Sequence, residues 1–244
     1  MKANFFILVI SILPAFSNAQ QDTSRIVYFD NFFESEPEIQ YARFYGTPRK
    51  IGNNRYEVVF YTFGGEKFAM GEYLGAKLRN RSGIFVRYNS EGRIIMSASY
   101  HNSLMHGIFQ RWHANGILAD SGRMERNYNI GLWKSWYSNG QLMELKIYRQ
   151  MKTPRNVAYS RLDGEYLSWH TNGRLKDSGF YKSGYKTGLW VEWSMDGQKA
   201  LGVYKKGWRQ GDWRHYDKEG KFQYIRRYRK NRYDPYGQLI GINN

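Results

Sequence analysis

Five histidines, His101, His106, His113, His170 and His215, are the side chains in this 244-residue chain best suited to hold a metal or pass a proton near neutral pH. Only His113 and His170 share a position in the repeating frame described below; the equivalent residues are Asn89, Tyr137, Ser194 and Asp217. A metal ladder needs more regular ligands than that, and the position varies as a solvent-facing turn does. The chain has no cysteine, so thiolate zinc sites and disulfides are excluded. Glu144, Asp163, Glu165 and Glu192 are the right type for a glycosidase pair, which needs two carboxyl groups at fixed separation. Scattered as they are, they read as solvated strand edges. No glycine-rich phosphate loop, nucleophile elbow or HExxH helix occurs. The expectation is a protein without catalytic residues, metal or cofactor.

Aromatic rings and cations are the other candidates. Eight tryptophans and 21 tyrosines accompany a formal charge of +16. Trp133, Trp136, Trp190 and Trp193 could stack on sugar rings or present contact area to a protein. Arg226, Arg227, Arg229, Lys230 and Arg232 put five cations into seven residues near the C-terminus, a patch that suits an anionic partner. The plainer reading is that the rings form the core and the cations protect sheet edges from aggregation.

What must position these residues is a repeat. Six glycine pairs recur nine residues apart: Gly83/Gly92, Gly107/Gly116, Gly131/Gly140, Gly164/Gly173, Gly188/Gly197 and Gly211/Gly220. The leading glycines are separated by 24, 24, 33, 24 and 23 residues, the periodicity of an array. Two residues after each leading glycine stands Phe85, Phe109, Trp133, Tyr166, Trp190 or Trp213. Five residues after it stands Tyr88, Trp112, Trp136, Trp169, Trp193 or Tyr216. Four units close with Asn-Gly or Asp-Gly, which predicts a type I′ turn and hence a β-hairpin per unit. A single hairpin is marginal in water, so the units must stack into one antiparallel sheet. Positions two and five fall on opposite faces of an ideal strand, unless a bulge near the leading glycine brings both to one side.

The long 33-residue spacing holds a nine-residue insertion around Met151 to Arg155, expected as a surface loop or extended hairpin. Upstream, Gly65, Gly71 and Tyr73 form a degenerate first unit. The chain therefore divides into a signal peptide at 1–19, an N-terminal cap at 20–55, a hairpin array at 56–228 and a C-terminal cap at 229–244. Lys2, the apolar run from Phe5 to Leu13, and small residues at Ser17 and Ala19 fit an export signal cleaved after Ala19. The expected location is the periplasm, cell envelope or exterior.

The run Gly131, Leu132, Trp133, Lys134, Ser135, Trp136, Tyr137, Ser138, Asn139, Gly140, Gln141, Leu142, with its counterpart from Gly188 to Gly197, resembles MORN-type repeats. It is most similar to a bacterial variant often labelled antitoxin-like. The resemblance covers about Tyr56 to Tyr228 and implies an elongated array of β-hairpins that mediates protein contacts, with lipid binding proposed for some members. It carries over no catalytic residue. The resulting expectation is an all-β, exported binding scaffold that recognises a protein partner. The alternatives are a glycan-binding module using its aromatic residues and an electrostatic binder of anionic membrane; nucleic acid is not expected for an exported chain. Exposure of the rings separates them: open aromatic clefts favour glycan, a flat apolar patch favours protein, and buried rings beside a basic face favour lipid.

Overall fold

The computed structural model describes residues 26–35 and 38–228. The expected signal peptide with its Ala19 cleavage site, the C-terminal cap, and Arg229, Lys230 and Arg232 lie outside the described residues. Within them the chain forms one sheet of sixteen antiparallel strands in sequence order, each bonded to the next. The first four are β1 (Val27–Phe29), β2 (Phe44–Gly52), β3 (Arg55–Tyr61) and β4 (Lys67–Leu74). The next six are β5 (Asn80–Tyr88), β6 (Ile94–His101), β7 (Leu104–Trp112), β8 (Leu118–Glu125), β9 (Tyr128–Trp136) and β10 (Leu142–Lys152). The last six are β11 (Ala158–Trp169), β12 (Leu175–Lys182), β13 (Tyr185–Trp193), β14 (Lys199–Lys205), β15 (Trp208–Tyr216) and β16 (Phe222–Tyr228). At about 4.8 Å between strands, fifteen steps span about 70 Å. A 3-10 turn at Ile39–Tyr41 is the one helical element among the described residues.

Each Gly-to-Gly unit is a hairpin, but its closing turn differs from the expected type I′. In the unit of β9 and β10, Gly140 N–H donates to Tyr137 O and Tyr137 N–H to Gln141 O, both at 2.9 Å. Only the glycine has a positive φ, 84°; Asn139 stays on the negative side. This is a type I turn followed by a left-handed glycine in a bulge, the three-residue hairpin loop. The asparagine has a different reason to be there. Its Oδ1 accepts the amide of Gln141 at 3.0 Å, and its Nδ2 donates to Thr171 O of the next unit at 3.1 Å.

The type I′ turns are at the opposite margin of the sheet, joining one unit to the next. Asn102-Ser103, Arg126-Asn127, Ser183-Gly184 and Lys206-Gly207 all have both central φ angles between 48° and 87°. Each is also laced to the preceding unit: Gly184 N–H donates to Leu162 O at 2.8 Å and Asn127 N–H to Met105 O at 3.0 Å. The nine-residue insertion is an extended hairpin, since β10 and β11 remain paired out to Lys152 and Ala158, with Asn156 taking the left-handed position at the turn. The margin that carries the closing glycines is called here the closing margin, and the other the leading margin.

The segment before the array extends the same sheet. β1 and β2 pair antiparallel ahead of β3, and Phe29 and Phe60, both fully buried, meet edge-on with centroids 4.7 Å apart. Phe33 stacks on Phe44 at 4.9 Å and completes this terminal cluster.

Candidate interaction face

The two faces of the sheet differ because of what each unit's glycines permit. Trp190 is fully buried, and its ring lies over Gly179 on the neighbouring strand β12, where an added Cβ would fall 2.3 Å from ring atoms. The same arrangement puts Trp133 over Gly122, Trp213 over Gly202 and Phe85 over Gly71. Tyrosines near the ends of the return strands fill the gaps between these rings. Tyr181 meets Trp190 at 5.3 Å, Tyr204 meets Trp190 at 5.6 Å and Trp213 at 5.3 Å, mostly edge to face. A continuous ladder of rings thus runs along one face, in place of a second layer.

A bulge does fall at the leading glycine, but it does not bring position five to this face. Register skips between Ser178/Val191 and Phe180/Thr187, before Trp190, and the strand is then regular through Trp193. The bulge instead carries the residue two before the glycine over the ring. Lys186 Nζ sits 3.9 Å from the Trp190 ring centroid, and the Arg209 guanidinium 4.3 Å from that of Trp213. Position-five rings, including Trp136 and Trp193, therefore lie on the opposite face and are half-buried.

The carboxylates of the ring face are engaged. Glu192 accepts a hydrogen bond from Tyr204 Oη at 2.8 Å and pairs with Arg209, which also donates to Tyr228 Oη at 2.8 Å. Glu144 is held by Lys146 at 2.6 Å and by Tyr166 Oη at 2.9 Å. Ser135 and Ser168 donate to Asp120 and Asp177, each at 2.8 Å. Burial first, then the neighbouring carboxylates, drives the phenol of Tyr166 above its ordinary value and that of Tyr181 up to about 12. Among the described residues no group of three or more His, Cys, Asp or Glu is placed to hold a metal.

The histidines expected in solvent have a structural partner. His113 Nε2 donates to Trp136 O and His170 Nε2 to Trp193 O, each at 2.8 Å, and Tyr137 Oη reaches Trp169 O at 2.9 Å. In these three units the variable turn position is a staple to the next unit, while Asn89, Ser194 and Asp217 bond within their own hairpins. Sequence spacing alone gave no sign of it, because the acceptor is a backbone carbonyl 23 or 32 residues away.

Of the candidate binding residues, Trp133 and Trp190 are buried in the ring ladder and leave no surface for a ligand. Trp136 and Trp193 keep a half-exposed ring on the other face. Trp193 also lines an open cleft of about 580 Å³ at the closing margin, with Lys199, His215, Tyr216 and Tyr224. Arg227 is bound by Asp212 through two contacts of 2.6 and 2.9 Å, and Arg226 lies 5.4 Å from the Tyr228 ring. The C-terminal cations are thus partly engaged within the sheet.

Opposite the ring ladder, the residue after each leading glycine points outward. Ile108, Leu132 and Leu189 are 63%, 50% and 59% exposed. Leu132 pairs across to Ile147 and Leu189 to Val203, while Phe180, 53% exposed, stands beside them opposite Glu165. From β9 to β14 this makes an apolar row about 24 Å long, interrupted by Glu165. No helix among the described residues is long and apolar enough to cross a membrane.

No curated protein matches the chain. Residues 130–150 and 162–183, the heart of this apolar row, match the MORN repeat variant, so these central units are similar to a repeat that generally serves as a protein- or membrane-binding module.

Proposed function

We propose that the chain is an exported, non-enzymatic scaffold that binds a protein partner through the face opposite its ring ladder. The observation that carries this reading is the row of exposed Leu132, Phe180, Leu189 and Val203 with half-buried Ile147, apolar side chains on a face where solvent would otherwise favour polar ones. Three of the eight tryptophans, Trp133, Trp190 and Trp213, are spent on the sheet's own core, and the others are half-buried. Half-buried Trp136 and Trp193 border the row and supply the aromatic anchors that protein interfaces favour. Export is supported by Lys2, the apolar run that follows it and the small residues at Ser17 and Ala19.

Three measurements test the proposal. N-terminal sequencing of the protein from its own cells should begin at Gln20. A photo-crosslinker placed at Leu132 or Leu189 should give one discrete protein adduct that is absent when it is placed at Arg174. Capture should vanish in L132D/L189D with the melting temperature unchanged. Adducts of equal yield at all three positions, or native capture by the double variant, would refute the interface.

A further inference from the structure

The two margins of the sheet are charged very differently. Around the closing turns, 62–66, 89–93, 113–117, 137–141, 170–174, 194–198 and 217–221, four cations face five acids. At the leading margin Arg55 stands at the β2–β3 turn, Lys77 and Arg79 at β4–β5, Arg126 at β8–β9, and Lys182 next to the β12–β13 turn. Lys205 and Lys206 follow at β14–β15. The extended β10–β11 hairpin adds Arg149, Lys152, Arg155 and Arg161, and from Ile147 to Leu162 it has no acid. All eleven are exposed, and Glu125 is the one acid in these turns. Two nearby carboxylates reach this margin from the strands: Glu72 to Arg55 at 3.2 Å, and buried Asp163 to Arg149 and Lys182 at 3.4 and 3.6 Å. The excess of positive charge remains large.

Successive leading turns are two strands, or about 10 Å, apart, so the row from β2–β3 to β14–β15 runs about 60 Å. Neighbouring turns are therefore within about one Debye length; the β6–β7 turn carries no lysine or arginine, so the fields merge into a continuous cationic line of about 30 Å from β8–β9 to β14–β15, with Arg55, Lys77 and Arg79 forming a second group beyond the gap. The extended hairpin, whose nine-residue insertion is the largest departure from the 24-residue period, projects from this line and adds nothing but positive charge to it.

We propose that the leading margin is a binding site for a linear acidic polysaccharide. A line of charges fits a linear polyanion, and its shape disfavours a plane. At the ordinary twist of about 20° per strand, twelve strands turn the margin through more than half a revolution, so a membrane meets only part of it while a flexible chain follows it throughout. The margin also lacks the stacking platforms that single-stranded nucleic acid uses. Its rings, Tyr128, Tyr159, Tyr185 and Trp208, are half-buried, with Arg161 lying over that of Tyr159, and none is fully exposed. What remains is recognition of regularly spaced carboxylate or sulfate groups by charge alone, with the strong salt dependence of counterion release.

The test is equilibrium binding of the full chain to polygalacturonate at 50 and 200 mM salt, with poly(U) and vesicles of one-third phosphatidylglycerol as comparators. Lys152, Arg155 and Lys205 hold no ion pair or side-chain hydrogen bond, so K152E/R155E/K205E should fold normally and lose at least tenfold in affinity. K152Q/R155Q/K205Q should lose less, with an unchanged melting temperature. Reversal of three cations at the other margin, R174E/K218E/K221E, should change affinity less than twofold. Equal weakening by the two reversals, or none by the first, overturns the site. Tighter binding of poly(U) or vesicles through the same residues overturns the polysaccharide and reassigns the line to that ligand.

Discussion

Gly179 offers the sharpest probe of how the sheet does without a second layer. It lies in a regular strand with an ordinary backbone conformation, so G179A brings no penalty from φ; in open space it would stabilise by about 0.4 to 1 kcal/mol by restricting the unfolded chain. The Trp190 ring reverses that sign. The new Cβ would stand 2.3 Å from two ring atoms, well inside van der Waals contact, and the ring cannot retreat. Tyr166, Tyr181 and Tyr204 surround it at 5.7, 5.3 and 5.6 Å, and its indole N–H is tied to Phe180 O and Thr187 O at 3.2 Å. Overpacking of this kind costs about 1 to 3 kcal/mol. W190A alone should cost about 3 to 5 kcal/mol, because a fully buried ring is lost and Lys186 is left without it.

Strong non-additivity follows. In the W190A background the clash is gone, and G179A should be neutral or slightly stabilising, so the cycle should show about 1 to 4 kcal/mol of coupling. Urea denaturation of the four proteins, followed by far-ultraviolet circular dichroism and by amide exchange in β12 and β13, measures it. Exchange matters because repeat arrays can open unit by unit. An additive cycle, or a G179A protein as stable as the parent, would show that the ring does not rest on that glycine.

Three further outcomes are expected. W213F should cost about 1 kcal/mol less than W190F, because the Trp213 N–H is buried without an acceptor while that of Trp190 has two; equal denaturation midpoints would contradict this. H170A should cost about 1 kcal/mol by removing the staple to Trp193 O, and H170N, whose amide falls short of that carbonyl, should not restore it in a thermal melt. Burial first, then Arg209 and Arg226, holds the His215 imidazole below its ordinary value of about 6.5. The unfolded chain then takes up a proton first as pH falls, so the stability this site contributes is complete above about pH 6.5 and declines below it. H215Q should flatten that part of the curve between pH 7.5 and 5, and an unchanged slope would rule the residue out.

The period and the hairpins were legible in the sequence because each depends on residues within one unit, whereas which of the recurring rings form the core was left open. Trp133, Trp190 and Trp213 recur against Gly122, Gly179 and Gly202 at constant spacing, and a glycine at a fixed offset from a large ring is itself a packing signal. Turn type was not legible from the dipeptide. Asn-Gly serves both a two-residue I′ turn and the three-residue loop found here, and the choice rests on where pairing stops, at Trp136 and Leu142. The true I′ turns, with Asn-Ser, Arg-Asn, Ser-Gly and Lys-Gly, share no dipeptide to reveal them. The allocation of faces was open for a related reason. The bulge at Gly188 exists, but only its position before Trp190 decides that Lys186, and not Trp193, joins the ring face.

The conspicuous residues of a sequence and the available surfaces of its fold are different things in a one-layer sheet. Such a sheet must obtain from one face the burial that other folds obtain from two, so the largest rings are consumed where their spacing is most regular. Trp133 and Trp190, the most conspicuous residues in the repeat, are for that reason the least able to meet a partner. Surface function is left to positions the periodicity constrains least: the residue after the leading glycine, which alternates among Ile84, Ile108, Leu132, Glu165, Leu189 and Asp212, and the turns of the leading margin. The aliphatic members stand on β5, β7, β9 and β13, the charged ones on β11 and β15, and the cations gather on one margin, while the ring ladder beneath recurs from unit to unit. Substitutions at Leu132, Leu189, Lys152 or Arg155 should therefore alter binding at little cost in stability, and substitutions at Gly179 or Trp190 the reverse. Melting temperatures that fell equally for both sets would show that the outer face is as much a part of the core as the ladder.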